Sequence, residues 1–154
     1  MSRDKIIDRS KIREIIASTK KTGKKIVFTN GCFDLIHIGH VRYLNEAKKL
    51  GDVLVIGLNA DASVSSIKPG RPVNPEDQRA EVLAALESVD YIVLFSEDTP
   101  YDLIKAIQPD VLVKGADWKK EDIVGNDLVK EVRTIRFVEG ISTSTIIEKI
   151  RKLK

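Results

Sequence analysis

The sequence predicts an α/β domain built on a single doubly wound, five-stranded parallel sheet with helices on both faces. Short β-branched runs recur along the 154 residues. They are apolar without alternation, as in strands covered on both faces. Helix-like stretches separate them, and strand–helix alternation implies parallel pairing through right-handed crossovers. The length suits one domain, which buries roughly two thirds of the surface its unfolded chain would expose.

The opening stretch to about Thr22 reads as a helical extension (1–22) packed on the domain proper (23–154). "IVFT" (26–29) is the first strand. "HVRYLNEAKKLG" places Val41, Leu44 and Ala47 on one face of a helix that starts near His40 and closes on Gly51 as a glycine cap. "VLVIGL" (53–58) is the second strand. In "NPEDQRAEVLAALESV", Asn74 is the expected N-cap, with Pro75 at the first helical position and Glu76 and Asp77 in the first turn. "YIVLF" (91–95) is the third strand, and "DTPYDLIKAI" repeats the cap logic with Thr99 before Pro100. "VLV" (111–113) and "IRFV" (135–138) complete the sheet. "STSTIIEKIRK" ends the chain as a helix with Thr145 and Glu148 spaced as a capping box. In this Rossmann-like order, ligands bind beyond the carboxyl ends of the strands.

Charge narrows the function. The 26 basic and 23 acidic residues are interspersed and leave a net +3, weak grounds for nucleic-acid or membrane binding, so a small anion is the expected partner. A single cysteine cannot cross-link its own chain and fits a reducing, cytoplasmic setting. The charged opening lacks a signal peptide's apolar core, and no later apolar run is long enough for a membrane span. A homodimer remains open.

"TNGCFDLIHIGH" (29–40) holds both histidines and the only cysteine. It falls between the first strand and the helix after it. Backbone N–H groups and the dipole at a helix start attract phosphate, Gly39 lets a ligand approach the backbone, and two imidazoles add donors. A zinc site is the rival reading, but the spacing C-x4-H-x2-H without a second cluster fits no familiar ligand set, and no resident metal is expected.

"GCFDLIHIGH" resembles the G-x-F-D-x-x-H-x-G-H signature of the cytidylyltransferase-like nucleotidyltransferases, and "EGISTS" (139–144) resembles their second signature, G-I-S-T-[ST]. Between these, "RPVNPEDQRAEVLAALESVDYIVLFSEDTP" and "PDVLVKGADW" are similar to the adenylyltransferase domain of ADP-heptose synthesis. That resemblance implies transfer of AMP from ATP to D-glycero-D-manno-heptose 1-phosphate, with Mg²⁺ accompanying ATP. It also implies a nucleotide site at Thr29, Asn30, Gly31, Phe33, Gly39, His40, Gly115, Asp117, Ser142, Thr143 and Ser144. His37, His40 and Lys114 would stabilise charge on the reacting phosphates, and Asp34, Asp61, Lys68 and Arg71 would contact the sugar phosphate. The rivals are a glycerol-3-phosphate cytidylyltransferase, an FMN adenylyltransferase and a non-catalytic nucleotide sensor.

Several residues keep two readings. Cys32 sits at the variable position of the first signature and reads as a small buried residue, since phosphoryl chemistry needs no thiolate. Asp34 either holds backbone amides or meets substrate. Trp118 either stacks near the nucleotide or covers the domain, and Arg79 pairs with a nearby acid. One departure stands out. Cytidylyltransferases of this superfamily carry an arginine three residues before the glycine of R-T-E-G-I-S-T, and Phe137 occupies that place here. Arg136, its neighbour on a strand, would point to the opposite face.

Overall fold

The structure is a computed structural model that describes residues 1–153. A short 3₁₀ turn (Ser2–Lys5) leads into α1 (Arg9–Lys21). Then come β1 (Ile26–Gly31), α2 (Ile38–Lys48), β2 (Val53–Asn59), α3 (Asp61–Ile67), α4 (Glu76–Ala84) and β3 (Tyr91–Phe95). The chain continues through α5 (Tyr101–Ile107), β4 (Val111–Gly115), β5 (Glu131–Ile135) and α6 (Thr143–Lys152). All five strands pair in parallel in the order β3-β2-β1-β4-β5. The chain winds outward from β1 to β3, then crosses back to β4, so the winding reverses between β1 and β4. Loops leaving those two strand ends diverge and open a cleft between them.

Period-two alternation sorts the core into two layers. Val27, Leu54 and Ile56 face Leu44 and Ala47 of α2 and Leu83 of α4. Ile26, Phe28 and Val55 face Ile12 and Ile16 of α1 and Leu103, Ile104 and Ile107 of α5. The first 22 residues thus contribute two fully buried isoleucines, and the Ile7 amide donates to Ile92 O (2.8 Å), tying the start of the chain to β3.

The expected last strand is displaced. Strand pairing falls on Glu131–Ile135 rather than 135–138, with Val111 opposite Glu131 and Gly115 opposite Ile135. This is an edge strand, and its outer positions carry charge: Glu131 accepts hydrogen bonds from Arg133 Nε (2.6 Å) and Lys25 Nζ (3.1 Å). Ladder bonding ends where Ala116 N donates to Ile135 O (2.9 Å), and the chain then turns so that Phe137 packs on Tyr43.

Smaller corrections concern helix ends. Gly51 is not a left-handed cap, since α2 ends at Lys48 with Lys49 as its C-cap; a Cβ at Gly51 would stand 2.7 Å from Val27 Cγ2 and 2.8 Å from Lys25 O, so close chain approach requires the glycine. The N-cap of α4 is Pro75 rather than Asn74. At α6 the cap is Ser142, in a reciprocal box with Thr145, one turn before the expected Thr145–Glu148 pair. Among the described residues no helix is long and apolar enough to cross a membrane.

Candidate functional site

The carboxyl end of β1 runs into a tight loop in which Phe33 (φ 47°) and Leu35 (φ 53°) both adopt left-handed backbone, a costly conformation for bulky residues. Three sets of contacts hold it. Arg79, 1% exposed, donates from Nη1 to Cys32 O (2.6 Å) and Asn59 O (2.8 Å), from Nε to Asn74 O (3.0 Å) and from Nη2 to Asp61 Oδ1 (2.8 Å). Asp34, buried, accepts the Val73 amide (2.7 Å) and the Asn74 amide (3.0 Å). Thr143 Oγ1 donates to Asp34 O (2.7 Å), fastening the start of α6 to the same loop.

His37 is the N-cap of α2, and its Nδ1 accepts the Gly39 amide (3.1 Å). His40 Nδ1 accepts the His37 amide (3.3 Å). With both Nδ1 atoms acting as acceptors, the proton of each neutral ring is assigned to Nε2, so each imidazole offers an N–H donor. The rings stack with centroids 3.9 Å apart. Burial lowers the pKa of His37, and burial, then the charges of His37 and Lys68, bring His40 down to about 4, so both are neutral donors at pH 7 in the free chain.

A cavity of about 220 Å³ lies at the switch point, lined by Asn30, Gly31, Phe33, Asp34, His40, Lys68, Arg71, Lys114, Gly115, Asp117 and Thr143 among others. A second cavity opens beside it over His37, Gly39 and Ser142–Thr143–Ser144, sharing His40, Lys68, Arg71, Asp117 and Phe137. A third, bounded by Asn59, Asp98 and Thr99, shares Cys32, Lys68, Lys114 and Trp118 with the first. Lys114 Nζ lies 3.4 Å from Asn30 Oδ1 and 5.6 Å from the Trp118 ring centre, and burial lowers its pKa.

The fold therefore gathers most of the residues singled out in the sequence. Two stand apart. Thr29 is fully buried with its hydroxyl against Tyr43 Oη (2.8 Å), so it sets the strand end and makes no side-chain contact in the cleft. Asp61 lines none of these three cavities, and its carboxylate is engaged by Arg79. Cys32, expected buried, is half-buried in the cleft wall. The group lying on Gly39 is the protein's own His37 ring, 2.9 Å from where a Cβ would stand. Arg136, just past the end of β5 rather than on a strand, borders a groove along α2 and none of the three cleft cavities.

Tyr43 is the residue that sequence reasoning missed. It lines the cleft, stacks on Phe137 with centroids 5.8 Å apart, and burial pushes its phenol up to about 12. The available signal was an aromatic one helical turn beyond His40, on the same face. Among the described residues no group of three His, Cys, Asp or Glu side chains is placed to hold a metal ion.

The sequence model of the Cytidylyltransferase-like family matches residues 28–149. The chain is 57% identical over 147 residues to the bifunctional protein HldE of Nitratiruptor sp., covering 95% of this chain and 32% of that protein. It is 58% identical over 144 residues to the HldE of Campylobacter concisus, covering 93% and 30%. The chain thus spans about a third of the length of the curated relatives it matches. A crystal structure of a lipopolysaccharide core biosynthesis protein from Thermoplasma volcanium superposes with a TM-score of 0.62 at 32% identity, over 75% of this chain and 98% of that one. Pantoate-beta-alanine ligase from Francisella tularensis shares the fold, at TM-score 0.64 and 16% identity over 97% and 79% of the two chains. From its stacked histidine pair to the capped start of α6, the chain belongs to the cytidylyltransferase-like family of nucleotidyltransferases.

Proposed function

We propose that the chain transfers AMP from ATP to a sugar 1-phosphate, D-glycero-D-manno-heptose 1-phosphate, forming ADP-heptose and pyrophosphate. The observation that carries this reading is the meeting of three cavities at Lys68, beside two imidazoles whose Nε2–H groups are free to donate. A nucleotide and an acceptor placed in adjoining cavities would bring their phosphates together there.

The chemistry asks for little beyond position and charge. A phosphate monoester, with a second pKa near 6, is an anionic nucleophile at pH 7. Its oxygen forms a bond to the α-phosphorus as the bond to the bridging oxygen breaks, and that electron pair leaves with pyrophosphate. No general base is required. His37 and His40 would donate to the oxygens on which charge grows, Lys114 would add a cation on the acceptor side, and Ser142, Thr143 and Ser144 would bring the start of α6 to the remaining phosphates. The residues fit a Mg²⁺ carried in on ATP: Asp117 is a carboxylate in the cleft without a side-chain hydrogen-bond partner among the described residues, and the ion would neutralise triphosphate charge. The lone half-buried cysteine fits a cytoplasmic enzyme.

The choice of heptose and adenine rests on the resemblance of residues 71–118 to the heptose branch; the Thermoplasma relative, described as a lipopolysaccharide core biosynthesis protein, agrees with a sugar acceptor. The deciding experiment is the initial rate of pyrophosphate release for ATP and CTP, each paired with heptose 1-phosphate, glycerol 3-phosphate and FMN, with products identified by mass. The expected best pair is ATP with heptose 1-phosphate. Faster formation of CDP-glycerol or FAD overturns the substrate and keeps the reaction class; nucleotide binding without turnover on any acceptor marks a sensor.

A further inference from the structure

Among the described residues one buried side-chain nitrogen or oxygen lacks a hydrogen-bond partner: Nε of Arg71. The side chain is 14% exposed, and Nε stands 3.6 Å from Asp34 Oδ2, close enough for ionic attraction and too far for a hydrogen bond. Asp34 has no freedom to close the gap, because both its oxygens already accept backbone amides, from Val73 and Asn74. An N–H removed from water without an acceptor is costly, and in a native structure it calls for a ligand or a strain that explains it. The carboxylate therefore fixes the guanidinium electrostatically and leaves its hydrogen-bonding capacity unused.

The cavities say what that capacity faces. Arg71 borders the first cavity and the one over His37, Gly39 and Ser142–Thr143–Ser144, but not the third, beside Asn59, Asp98 and Thr99. Lys114 shows the complementary pattern, bordering the first and third. Two cations thus flank the reacting centre from opposite sides. In the cavity over the start of α6, where backbone amides await an anion, the wall at Phe137 is apolar, so positive charge there has to come from the Lys68–Arg71 loop.

We propose that Arg71 binds the β- and γ-phosphates of the nucleotide, and the pyrophosphate they become, while the acceptor's phosphate is left to Lys114. The terminal Nη groups, which are accessible and hydrogen-bonded to nothing among the described residues, donate to phosphate oxygens, and Asp34, holding the buried Nε side of the guanidinium, is the positioning residue that aims them. This assigns Arg71 to the leaving group, where the sequence resemblance had placed it on the sugar phosphate. The assignment rests on the nucleotidyltransferase reading above.

The test is calorimetric binding of ATP, AMP and pyrophosphate to the parent, Arg71→Gln and Arg71→Lys, together with steady-state KM values for ATP and heptose 1-phosphate. Loss of a charge-assisted, bidentate phosphate contact should weaken ATP and pyrophosphate by about tenfold or more in Arg71→Gln. AMP, which lacks the β- and γ-phosphates, should change by less than about threefold, and so should the acceptor KM. Arg71→Lys, which keeps the charge and its attraction to Asp34, should fall between. ATP and pyrophosphate affinities that hold in Arg71→Gln, an equal loss of AMP affinity, or a rise confined to the acceptor KM would each overturn the proposal. If Arg71→Gln melts below assay temperature, the Arg71→Lys comparison of ATP with AMP carries the same criterion. A parent that binds neither ATP nor pyrophosphate removes the nucleotidyltransferase reading as well; a parent that binds both and an indifferent Arg71→Gln removes this assignment alone.

Discussion

His37 and His40 stack with ring centroids 3.9 Å apart, and the Nδ1 of each is occupied by a backbone amide. The helix start thereby fixes both tautomers before any ligand arrives, so the Nε2 donors need no reorganisation when charge develops on a phosphate. Replacing His40 with alanine should lower kcat by about 10² or more, equivalent to about 2.7 kcal/mol of transition-state stabilisation. His37→Ala should lose a similar factor and, in addition, about 1 kcal/mol of stability from the lost cap. Turnover and thermal melting of the purified variants separate the two effects, and near-parent turnover in His40→Ala would sink its catalytic role.

The same burial makes stability depend on pH. His40 binds its proton with a pKa of about 4 in the folded chain, against about 6.5 when unfolded. Between those values the unfolded chain takes up a proton that the folded chain refuses, so stability is full above about pH 6.5 and is lost as pH falls toward 4. His37, also lowered, acts in the same direction. The His40 contribution should be on the order of 2 kcal/mol once its partial solvent contact is allowed for. Urea denaturation at pH 7.5 and pH 5 reads it directly: the drop between the two should be smaller in His40→Ala than in the parent, and an equal drop would show that another group titrates.

Four of the five strands were legible because apolar runs such as residues 53–58 belong to a sheet buried on both faces. β5 was not, because charges at Glu131 and Arg133 masked Val132 and Ile135, which pack singly on opposite layers of the core, while the apolar pair at 137–138 mimicked a buried run. The loop between β1 and α2 that carries the candidate site was legible because helix starts and glycines mark it locally. Its supports were not: Arg79 reaches carbonyls of Cys32 and Asn59, 47 and 20 residues away, and no local pattern encodes such a bond. The engagement of Asp61 by Arg79, 18 residues on, was hidden for the same reason.

Arg79 should therefore matter more to folding than any other charged side chain in the site. Its guanidinium serves three carbonyls and one carboxylate at 1% exposure. Arg79→Ala leaves the carbonyls unpaired in the interior, and removing one member of such a buried network costs about 3–5 kcal/mol. Asp61→Asn, by contrast, alters a carboxylate whose side chain is 43% exposed and should cost about 1 kcal/mol or less. Urea midpoints for the two variants make the comparison. Acceptor KM should be unchanged in Asp61→Asn, and a marked increase would return Asp61 to the substrate site.

Gly115 and Phe137 form an interlock across the cleft: a Cβ on Gly115 would stand 2.2 Å from Cε2 and Cζ of the phenyl ring and 2.8 Å from Asp117 Oδ1. Neither overlap can be absorbed in place. Phe137 is 54% exposed, so the ring has room to swing outward, but doing so separates it from Tyr43 and removes the wall shared by two cavities. Gly115→Ala should thus lose only about 1 kcal/mol of stability, in the range of an ordinary substitution, while raising the KM for ATP by about tenfold through the displaced wall. Phe137→Ala removes the same wall directly and should raise it to a similar degree. If Gly115 acts through the ring, the double variant gains little further, because once the phenyl group is gone the nearest overlap is with the carboxylate of Asp117, an exposed side chain that can turn aside. Effects on KM that multiply to about a hundredfold in the double variant would mean that the two residues act independently, and Gly115 would then have to meet the nucleotide through its own backbone.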